Sequence, residues 1–373
     1  MKVVVELIGT ISDGGAESLV RDYAIHVRNE EFDVKIITMY PPSETSANYR
    51  ILKQRGIDVV SVFTSGKTSI LYRILNKLTF NYYIYYKLYR IIKSIAPTAI
   101  HIHLDILRFI KPFATKLHGI KLLYTCHNCP CRLFNSTNKK GELMAAQYLL
   151  HNNGLQMIAL HNGMRKELND MFSIDNTIVV RNGIDVERFS NTTEDKEAIR
   201  NSIGIPVGSF VVGHIGRFTG AKNHLFLIEI FKELLMKREN AFLLMVGSGP
   251  LKKEIEQKII ESHLQNRCLI LEHRTDIPQL LKAMDIFVFP SIFEGLPVTL
   301  VEAQAAHKRC IVSDLITAEC FLSTNTIPLS IDNSAQYWAE AILDTNRKGA
   351  YEGDIYQFDM ENVSEHLRSI YRS

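Results

Sequence analysis

Short runs of β-branched and aromatic residues alternate with helical patterns along almost the whole chain. This alternation predicts an α/β fold built on parallel sheets, because parallel strands need crossover connections, which are usually helices. In the first half the predicted strands are Val3–Ile8, Val34–Thr38, Val59–Val62, Ala99–His103, Lys121–Cys126, Met157–Leu160 and Ile178–Val180. In the second half they are Phe210–Ile215, Phe242–Val246, Cys268–Leu271, Ile286–Phe289 and Ile311–Ser313.

Chain length and one polar stretch indicate how the chain is divided. Its 373 residues suffice for two domains of ordinary size. Residues 183–209 are polar and contain Pro206 and Gly208, which is typical of a linker. We therefore expect two Rossmann-like parallel-sheet domains facing a central cleft, over residues 1–183 and 184–350. Residues 351–373 are expected to be helical; a return to the first domain is one arrangement, which their sequence alone does not indicate.

The composition favours a soluble, cytoplasmic protein. Hydrophobic residues make up 46% of the chain and charged residues 22%, as in ordinary globular proteins. No apolar run approaches the ~18 residues that a membrane span needs. Met1–Glu6 carries an acid inside its short apolar run, so it predicts a first strand and not a signal peptide. Six cysteines without a secretory signal indicate a reducing compartment.

Positive charge is concentrated in the first half. Residues 1–183 hold 23 Lys and Arg against 14 Asp and Glu, and no acidic residue lies between Asp58 and Asp105. Within residues 67–93, basic residues are interleaved with tyrosines and aliphatic residues, a composition typical of a surface-lying contact with an anionic membrane. The alternative, ordinary helices with packed tyrosines and solvated charges, stays open. We expect no nucleic-acid partner, since no recognisable binding module accompanies the segment.

Two carboxylates, Glu294 and Glu302, flank the predicted start of a helix after the strand Ile286–Phe289. Pro297 suits a first helical turn, and the free N–H groups there form a natural phosphate seat. At ~1.5 Å per residue, the two carboxylates are at most about 12 Å apart. This span suits one carboxylate on a sugar and the other on a ribose, with a diphosphate between them. An acidic loop before a surface helix is the plain alternative.

Cations and glycines follow two other predicted strands. Arg217 and Lys222 lie on one loop after Phe210–Ile215, where they suit a diphosphate. Gly14 and Gly15 form a strand-to-helix turn that allows close approach of a ligand to the backbone, although they do not match the dinucleotide fingerprint. No D-x-D pair occurs, so we expect neither a carboxylate-held Mg²⁺ nor another cofactor.

His127 follows the predicted strand Lys121–Cys126. The neighbouring cysteines at 126, 129 and 131 invite a zinc interpretation, but a structural zinc site needs four well-spaced ligands, usually as two pairs. We therefore favour His127 as a polar residue of the cleft that is able to face a sugar, with no metal.

Taken together, these motifs resemble glycosyltransferase family 4, whose members are retaining enzymes of the two-domain GT-B fold. Arg181-Asn182-Gly183-Ile184-Asp185 and Gly14-Gly15-Ala16-Glu17 add to the likeness, which runs from residue 1 to about residue 315. Many members build bacterial surface polysaccharide. The resemblance implies an acceptor-side first domain and a donor-binding second domain.

The resemblance also implies roles for single residues. His127, Glu294, Arg217 and Lys222 would be catalytic, with Arg217 and Lys222 on the diphosphate, Glu294 on the donor sugar and His127 contacting that sugar. Glu302 would hold the ribose. The remaining donor-binding residues would be Gly14, Gly15, Arg274, Thr275, Gly295, Thr299 and Leu300. His273 stands where the family often has Gly, which leaves the nucleobase contact around Arg274 and Thr275 open.

The predicted function is metal-independent, retaining transfer of a sugar from a nucleotide donor, UDP-linked by preference. Its acceptor would be a saccharide or polyprenyl-linked saccharide of a surface polysaccharide, and peripheral placement on the inner face of the cell membrane would suit a lipid-linked acceptor. Two alternatives are a nucleotide-sugar 2-epimerase of the same two-domain fold and a catalytically silent sugar-nucleotide binding subunit.

Overall fold

The structure is a computed structural model that describes residues 1–63, 82–134 and 140–373. Part of the basic and aromatic segment predicted to contact membranes, residues 67–81, lies outside the described residues. The chain forms two compact units: residues 1–183 with residues 360–373, and residues 184–359.

The first unit is built on a seven-stranded parallel sheet in the order β3-β2-β1-β4-β5-β6-β7. Its strands are β1 Lys2–Ile8, β2 Phe32–Thr38, β3 Val59–Ser61, β4 Ala99–His103, β5 Lys121–Thr125, β6 Gln156–Ala159 and β7 Ile178–Val179. The strand order reverses beside β1, so the carboxyl ends of β1 and β4 border the crevice where open α/β sheets bind ligands.

Helices connect the strands of the first unit. They are α1 Gly15–Val27, α2 Ala47–Gln54, α3 Tyr82–Ile95, α4 Leu107–Ile110, α5 Pro130–Phe134, α6 Lys140–Asn153 and α7 Asn162–Phe172, with a 3₁₀ turn over Lys111–Lys116. The last helix of the chain, Met360–Arg372, also belongs to this unit and packs against α1. It contributes Leu367, Ile370 and Tyr371 to the core around β1 and β2.

The second unit has a six-stranded parallel sheet in the order β10-β9-β8-β11-β12-β13. Its strands are β8 Phe210–Ile215, β9 Ala241–Val246, β10 Cys268–Leu271, β11 Ile286–Phe289, β12 Arg309–Ser313 and β13 Thr326–Leu329. Here the order reverses between β8 and β11, which places a second crevice at the carboxyl ends of those two strands.

The helices of the second unit follow the same alternation. They are α8 Val186–Ser190, α9 Lys196–Ser202, α10 His224–Lys237, α11 Lys252–Glu261, α12 Ile277–Ala283, α13 Val298–Ala305 and α14 Ala335–Leu343; the final helix, Met360–Arg372, is α15. Three 3₁₀ turns span Gly220–Lys222, Ala318–Cys320 and Ile355–Phe358. Trp338 lies fully buried in the core beneath α10, and its indole N–H donates to the Ser330 carbonyl at 3.0 Å.

The polar stretch interpreted as a linker contains two short helices, and the boundary between the two units lies at its start, after residue 183. Residues 186–190 and 196–202 are helical and belong to the second unit. Asp195 caps α9 by accepting from the Ala198 N–H at 2.8 Å. The polarity of the stretch therefore reflects helix caps on short surface helices.

No helix among residues 1–63, 82–134 and 140–373 combines the length and the hydropathy that crossing a membrane requires.

Candidate functional site

In the second unit, the predicted cations Arg217 and Lys222 and the carboxylate Glu294 lie on the loops that follow β8 and β11, the two strands at the switch point. Lys222 ends the 3₁₀ turn Gly220–Lys222, and Glu294 lies between β11 and α13. The Ile292 N–H donates to the Ala221 carbonyl at 2.8 Å, so a backbone hydrogen bond ties the two loops together. The structure thus brings together two of the residues expected to act on one donor.

Lys222 and Glu294 form an ion pair. The Lys222 ammonium donates to Glu294 Oε1 at 2.7 Å, and the two side chains are 14% and 13% exposed. The ammonium also lies 4.5 Å from the ring centroid of Phe289, the last residue of β11. Gly216 makes room for this arrangement, since a Cβ there would stand 3.1 Å from Lys222 Cε. The ion pair holds a cation and a carboxylate in fixed positions beside the start of α13.

Arg217 is exposed, and its guanidinium has no hydrogen-bond or ion-pair partner among the described residues. A free guanidinium on the loop that carries Lys222 is available to an anion.

Helix α13 begins at Val298 with Pro297 as its N-cap, one residue later than the sequence suggested. The Leu300 N–H already donates to the Pro297 carbonyl at 3.0 Å, so the earlier N–H groups, those of Val298 and Thr299, are the ones open to an anion. Thr299 Oγ1 and Ser291 Oγ are buried, and neither has a hydrogen-bond partner within the described part of the chain. Buried hydroxyls without partners are costly unless a ligand or water satisfies them.

Glu302 lies on the same helix, one turn beyond Thr299, and is partly buried. Gly295, directly after Glu294, is also partly buried. The order along this edge is therefore carboxylate, glycine, helix start and second carboxylate.

Two histidines behind Lys222 were not singled out from the sequence. His214 Nδ1 lies 2.9 Å from the Val288 carbonyl, and its ring stands 4.7 Å from the His224 ring in a T-shaped contact. Burial lowers the pKa of His214 well below its usual range, and burial together with Lys222 lowers the pKa of His224 to about 4. Both rings are therefore neutral at pH 7, so they add no positive charge to that of Lys222.

Arg274 and Thr275, expected near the nucleobase, lie between β10 and α12. The Arg274 guanidinium is bound to Asp276, with Nε donating to Oδ1 at 2.7 Å. The Thr275 carbonyl accepts from Arg188 at 2.8 Å, and Thr275 and Arg188 both line a shallow depression of about 350 Å³. Arg274 is thus already paired, so it is less available to a ligand than Arg217.

In the first unit, Gly14 is the N-cap of α1 and Gly15 its first residue. A Cβ at Gly14 would stand 2.4 Å from Glu17 Oε2, whereas a Cβ at Gly15 would meet no atom within 4 Å. The space beside Gly15 is therefore open to a ligand, whereas a side chain at position 14 would displace the carboxylate of Glu17.

His127 lies two residues beyond β5, partly buried, with its Nε2 2.9 Å from Nδ1 of His103. His103 Nε2 in turn lies 2.6 Å from Oε2 of Glu6, a carboxylate in the middle of β1. Neither Glu6 nor His103 was expected from the sequence to lie beside His127. A charged residue inside the otherwise apolar strand Lys2–Ile8 and the alternating His101 and His103 of β4 were the available signals.

Two groups of side chains have the composition of a metal site among the described residues: Glu6 with His101 and His103, and Cys129 with Cys131 and Glu167. In the first group, the carboxylate and ring nitrogens already hydrogen-bond to protein groups. In the second, the Cys131 N–H donates to Glu167 Oε1 at 2.9 Å, and the Cys129 thiol and the Glu167 carboxylate raise the pKa of the Cys131 thiol to about 11. Cys126 is buried, with its S–H directed at the Asn128 carbonyl.

Comparison with known proteins identifies the class. The sequence-family model described as Glycosyltransferase Family 4 matches residues 13–188. The family model described as Glycosyl transferases group 1 matches residues 195–344. The chain belongs to the family 4 glycosyltransferases of the GT-B type.

Individual relatives give the same picture. EpsF of Bacillus subtilis (strain 168), named as a glycosyltransferase, is 30% identical over 66% of this chain and 65% of its own length. The UDP-Gal:alpha-D-GlcNAc-diphosphoundecaprenol alpha-1,3-galactosyltransferase of Escherichia coli is 28% identical over 63% of this chain and 62% of its own. The matched regions thus span a little under two thirds of these relatives. Other relatives are named for lipopolysaccharide core and capsular polysaccharide biosynthesis.

Among solved structures, Anabaena Alr3699/HepE in complex with UDP-glucose matches with a TM-score of 0.79 and 19% identity, over 100% of both chains. At this identity the likeness bears on the fold alone, and it agrees with the two parallel-sheet units described above.

Proposed function

We propose that this protein is a retaining glycosyltransferase that moves a sugar from a UDP-linked donor to a saccharide or lipid-linked saccharide acceptor of a surface polysaccharide. The ion pair of Lys222 and Glu294 carries the proposal, because Glu294 lies between Ser291 and Thr299, whose buried hydroxyls have no hydrogen-bond partner among the described residues. A diphosphate would supply the missing acceptors, and the exposed Arg217 would add a second cation. The Escherichia coli relative, which is named for a UDP-linked donor and a diphosphoundecaprenol-linked acceptor, supports this choice.

In the proposed reaction, the bond between the anomeric carbon and the diphosphate oxygen breaks as the acceptor oxygen attaches to the same face of the sugar. The acceptor proton passes to the departing diphosphate oxygen. Lys222, Arg217 and the N–H groups at the start of α13 stabilise the negative charge that develops on the diphosphate. Glu294 binds hydroxyls of the donor sugar, Glu302 binds the ribose, and His127 contacts the sugar.

We also propose that the reaction needs no divalent metal, because fixed cations and a helix start take the place of a metal on the leaving group. The absence of a D-x-D pair in the sequence supports this.

The acceptor chemistry suggests a peripheral position at the inner face of the cell membrane. Helix α3 supports this, since Tyr82, Tyr86 and Arg90 are exposed on it while Ile84 and Leu88 are buried. An exposed row of tyrosines and basic residues suits the headgroup region of an anionic leaflet.

A thermal-unfolding screen against a panel of nucleotide sugars tests the donor assignment first. A matched donor at ~100 times its dissociation constant should stabilise the protein by about 2.7 kcal/mol. Product analysis with an acceptor should then show a retained anomeric configuration, and EDTA should leave most activity intact. Stabilisation by no nucleotide sugar, an inverted product, or full loss in EDTA with recovery in Mg²⁺ would each overturn the corresponding part of the proposal.

Measuring donor consumption with and without an acceptor distinguishes the alternative functions. An epimerase consumes the donor sugar without an acceptor, a silent binding subunit consumes it under neither condition, and a transferase releases nucleoside diphosphate mainly when the acceptor is present. The ion pair at the diphosphate site favours the transferase.

A further inference from the structure

A polar network lies buried inside the first unit, where the surrounding core is apolar. It comprises Glu6 of β1, His101 and His103 of β4, Thr125 at the end of β5 and Tyr371 of α15, all at most 4% exposed. The strands β1, β4 and β5 are neighbours, and Glu6 is paired with His101 in the sheet register. Burying a carboxylate is costly unless hydrogen bonds compensate it, so its partners define what it does.

Glu6 is ionised and accepts hydrogen bonds at both oxygens. Burial alone would raise its pKa, but His101 and His103 hold the pKa of Glu6 well below its usual range. Tyr371 O–H donates to Oε1 at 3.0 Å, and His103 Nε2 lies 2.6 Å from Oε2. An ionised carboxylate can only accept, so His103 must carry a proton on Nε2.

The tautomer of His103 then determines which ring nitrogen of His127 carries a proton. Burial lowers the pKa of His103 to about 4, so its ring is neutral and Nδ1 carries a lone pair. Nδ1 of His103 lies 2.9 Å from Nε2 of His127, which must therefore donate. The pKa of His127 is lowered well below its usual range by burial and by His103, so its ring is neutral too and its Nδ1 is an acceptor.

A second branch of the network leads away from His127. His101 Nε2 lies 2.7 Å from Thr125 Oγ1, and His101 Nδ1 lies 2.8 Å from the Tyr371 hydroxyl. Tyr23 of α1 packs its ring over His101 and His103, with centroids 6.1 and 6.4 Å away. This branch fixes Tyr371 and the C-terminal helix, while the branch through His103 ends at His127.

We propose that Glu6 and His103 are positioning residues that hold His127 in its Nε2–H tautomer, so that Nδ1 is presented as a hydrogen-bond acceptor to a hydroxyl of the donor sugar. Tyr371 holds the Glu6 carboxylate in place and thereby links the C-terminal helix to His127. The part that concerns the sugar rests on the proposed function; the tautomer assignment does not. A second hydrogen bond that sets which ring nitrogen is protonated is the usual way in which proteins fix a functional histidine.

The test is nitrogen-15 NMR of the histidine rings in the full chain without substrate, with the His127 signals assigned by their absence in His127→Gln. In the wild type, we expect a protonated Nε2 and an unprotonated Nδ1 on His127. Glu6→Gln places an amide where the carboxylate was, so its NH₂ can face His103 and reverse both tautomers. A changed His127 signal in Glu6→Gln is therefore expected, whereas Thr125→Val, which cuts only the other branch, should leave it unchanged.

Kinetics supply the second readout. By analogy with outer partners of functional histidines, Glu6→Gln and His103→Gln should lower kcat roughly 10- to 100-fold with little change in KM for the donor. Thr125→Val should leave both constants at their wild-type values.

A wild-type His127 protonated on Nδ1 overturns the proposal. Because this result comes from the nitrogen-15 spectrum of the wild-type protein, it tests the proposal even where a variant fails to fold. Glu6→Gln that merely lowers the melting temperature, with His127 tautomer and kcat unchanged, would also overturn it, since the network would then be only structural. If the tautomer is as expected but no nucleotide sugar is turned over, the assignment of His127 stands and the proposed function fails.

Discussion

Lys222 has two roles. It forms an ion pair with the partly buried Glu294, and in the proposed function it binds the diphosphate. We expect Lys222→Ala and Arg217→Ala each to lower kcat by roughly 10² to 10³, the effect of losing a preorganised electrostatic donor. Lys232→Ala, on the exposed side of α10, is the matched control and should leave kcat unchanged. Steady-state kinetics with a matched donor measure these changes in kcat. Wild-type turnover in either site variant would contradict the diphosphate assignment.

Glu294 and Glu302 lie on either side of the start of α13, and we expect substitutions of the two residues to affect ligand binding differently. Glu302→Gln is expected to weaken binding of both the donor and free nucleoside diphosphate, because the ribose is common to both. Glu294→Gln should spare affinity for the free diphosphate and damage sugar transfer. Isothermal titration together with turnover assays measures both, and equal losses of free-nucleotide affinity would show that the roles are divided wrongly.

Which site residues a sequence can reveal depends on how local their geometry is. Glu294, Pro297 and Glu302 lie within nine consecutive residues, on the connection after β11 and in the first turns of α13, so their spacing alone predicts that they share a sheet edge. Glu6, His103 and Tyr371 come from three distant segments, and only the sheet order and the packing of α15 bring them together. No local pattern predicts such a contact.

At the element scale, α13 is held in place by Gln304, a buried side chain with four hydrogen bonds. Its amide NH₂ donates to the carbonyls of Leu300 and Cys320, and its oxygen accepts from the Leu322 N–H and the Thr326 hydroxyl. Gln304→Leu leaves the last two donors unpaired, so we expect the free energy of unfolding to fall by about 2–4 kcal/mol.

Urea denaturation measures the Gln304 effect, with Gln257→Leu on the exposed side of α11 as control, expected within about 0.5 kcal/mol of wild type. A Gln304→Leu variant as stable as the control would mean that these hydrogen bonds do not anchor the helix that carries Thr299 and Glu302.

The elements themselves were largely predictable because alternation of β-branched runs and helical patterns is a local property. All twelve predicted strands occur, with ends shifted by at most two residues. The missed strand is β13, Thr326–Leu329, which contains Pro328 and lies at the edge of its sheet. Proline argues against a central strand but is tolerated at an edge, so the sequence pattern misleads there.

For the whole molecule, the buried neutral histidines predict loss of stability in acid. His103 and His224 each have a pKa lowered to about 4, by burial with His101 in the first case and with Lys222 in the second. Unfolding returns each to its ordinary pKa of about 6.5, so the unfolded chain binds more protons between these values. Stability is therefore full above pH ~6.5 and falls as the pH drops towards 4, by at most about 1.4 kcal/mol per pH unit for each histidine.

Urea denaturation at a series of pH values tests this dependence. His224→Phe should reduce the acid slope, because neither ring nitrogen of His224 has a partner to lose within the described structure. His118→Gln, at an exposed position, should leave the slope as in the wild type. An unchanged slope in His224→Phe would show that this histidine is not held neutral.

Membrane association is the remaining prediction at the scale of the whole molecule. Helix α3 buries Ile84, Leu88 and Ile92 and exposes Tyr82 and Tyr86, so its outer face combines aromatic and basic side chains. Each Lys or Arg close to an anionic leaflet contributes about 1 kcal/mol, which predicts loose, reversible binding. Sedimentation with anionic liposomes should carry the protein down at low salt and release it at ~0.5 M salt, where screening is strong.

Charge-matched variants make this test specific to α3. Changing Lys87, Arg90 and Lys93 together to Gln should abolish sedimentation. Changing Lys232, Lys253 and Arg267, three exposed basic residues of the second unit, should not, although the net charge falls equally. If both triple variants weaken binding alike, the attraction reflects net charge and not this helix. If neither variant nor the wild type sediments at low salt, the tyrosines and charges of α3 are ordinary solvated surface, and an acceptor carried on a lipid must reach the enzyme by another route.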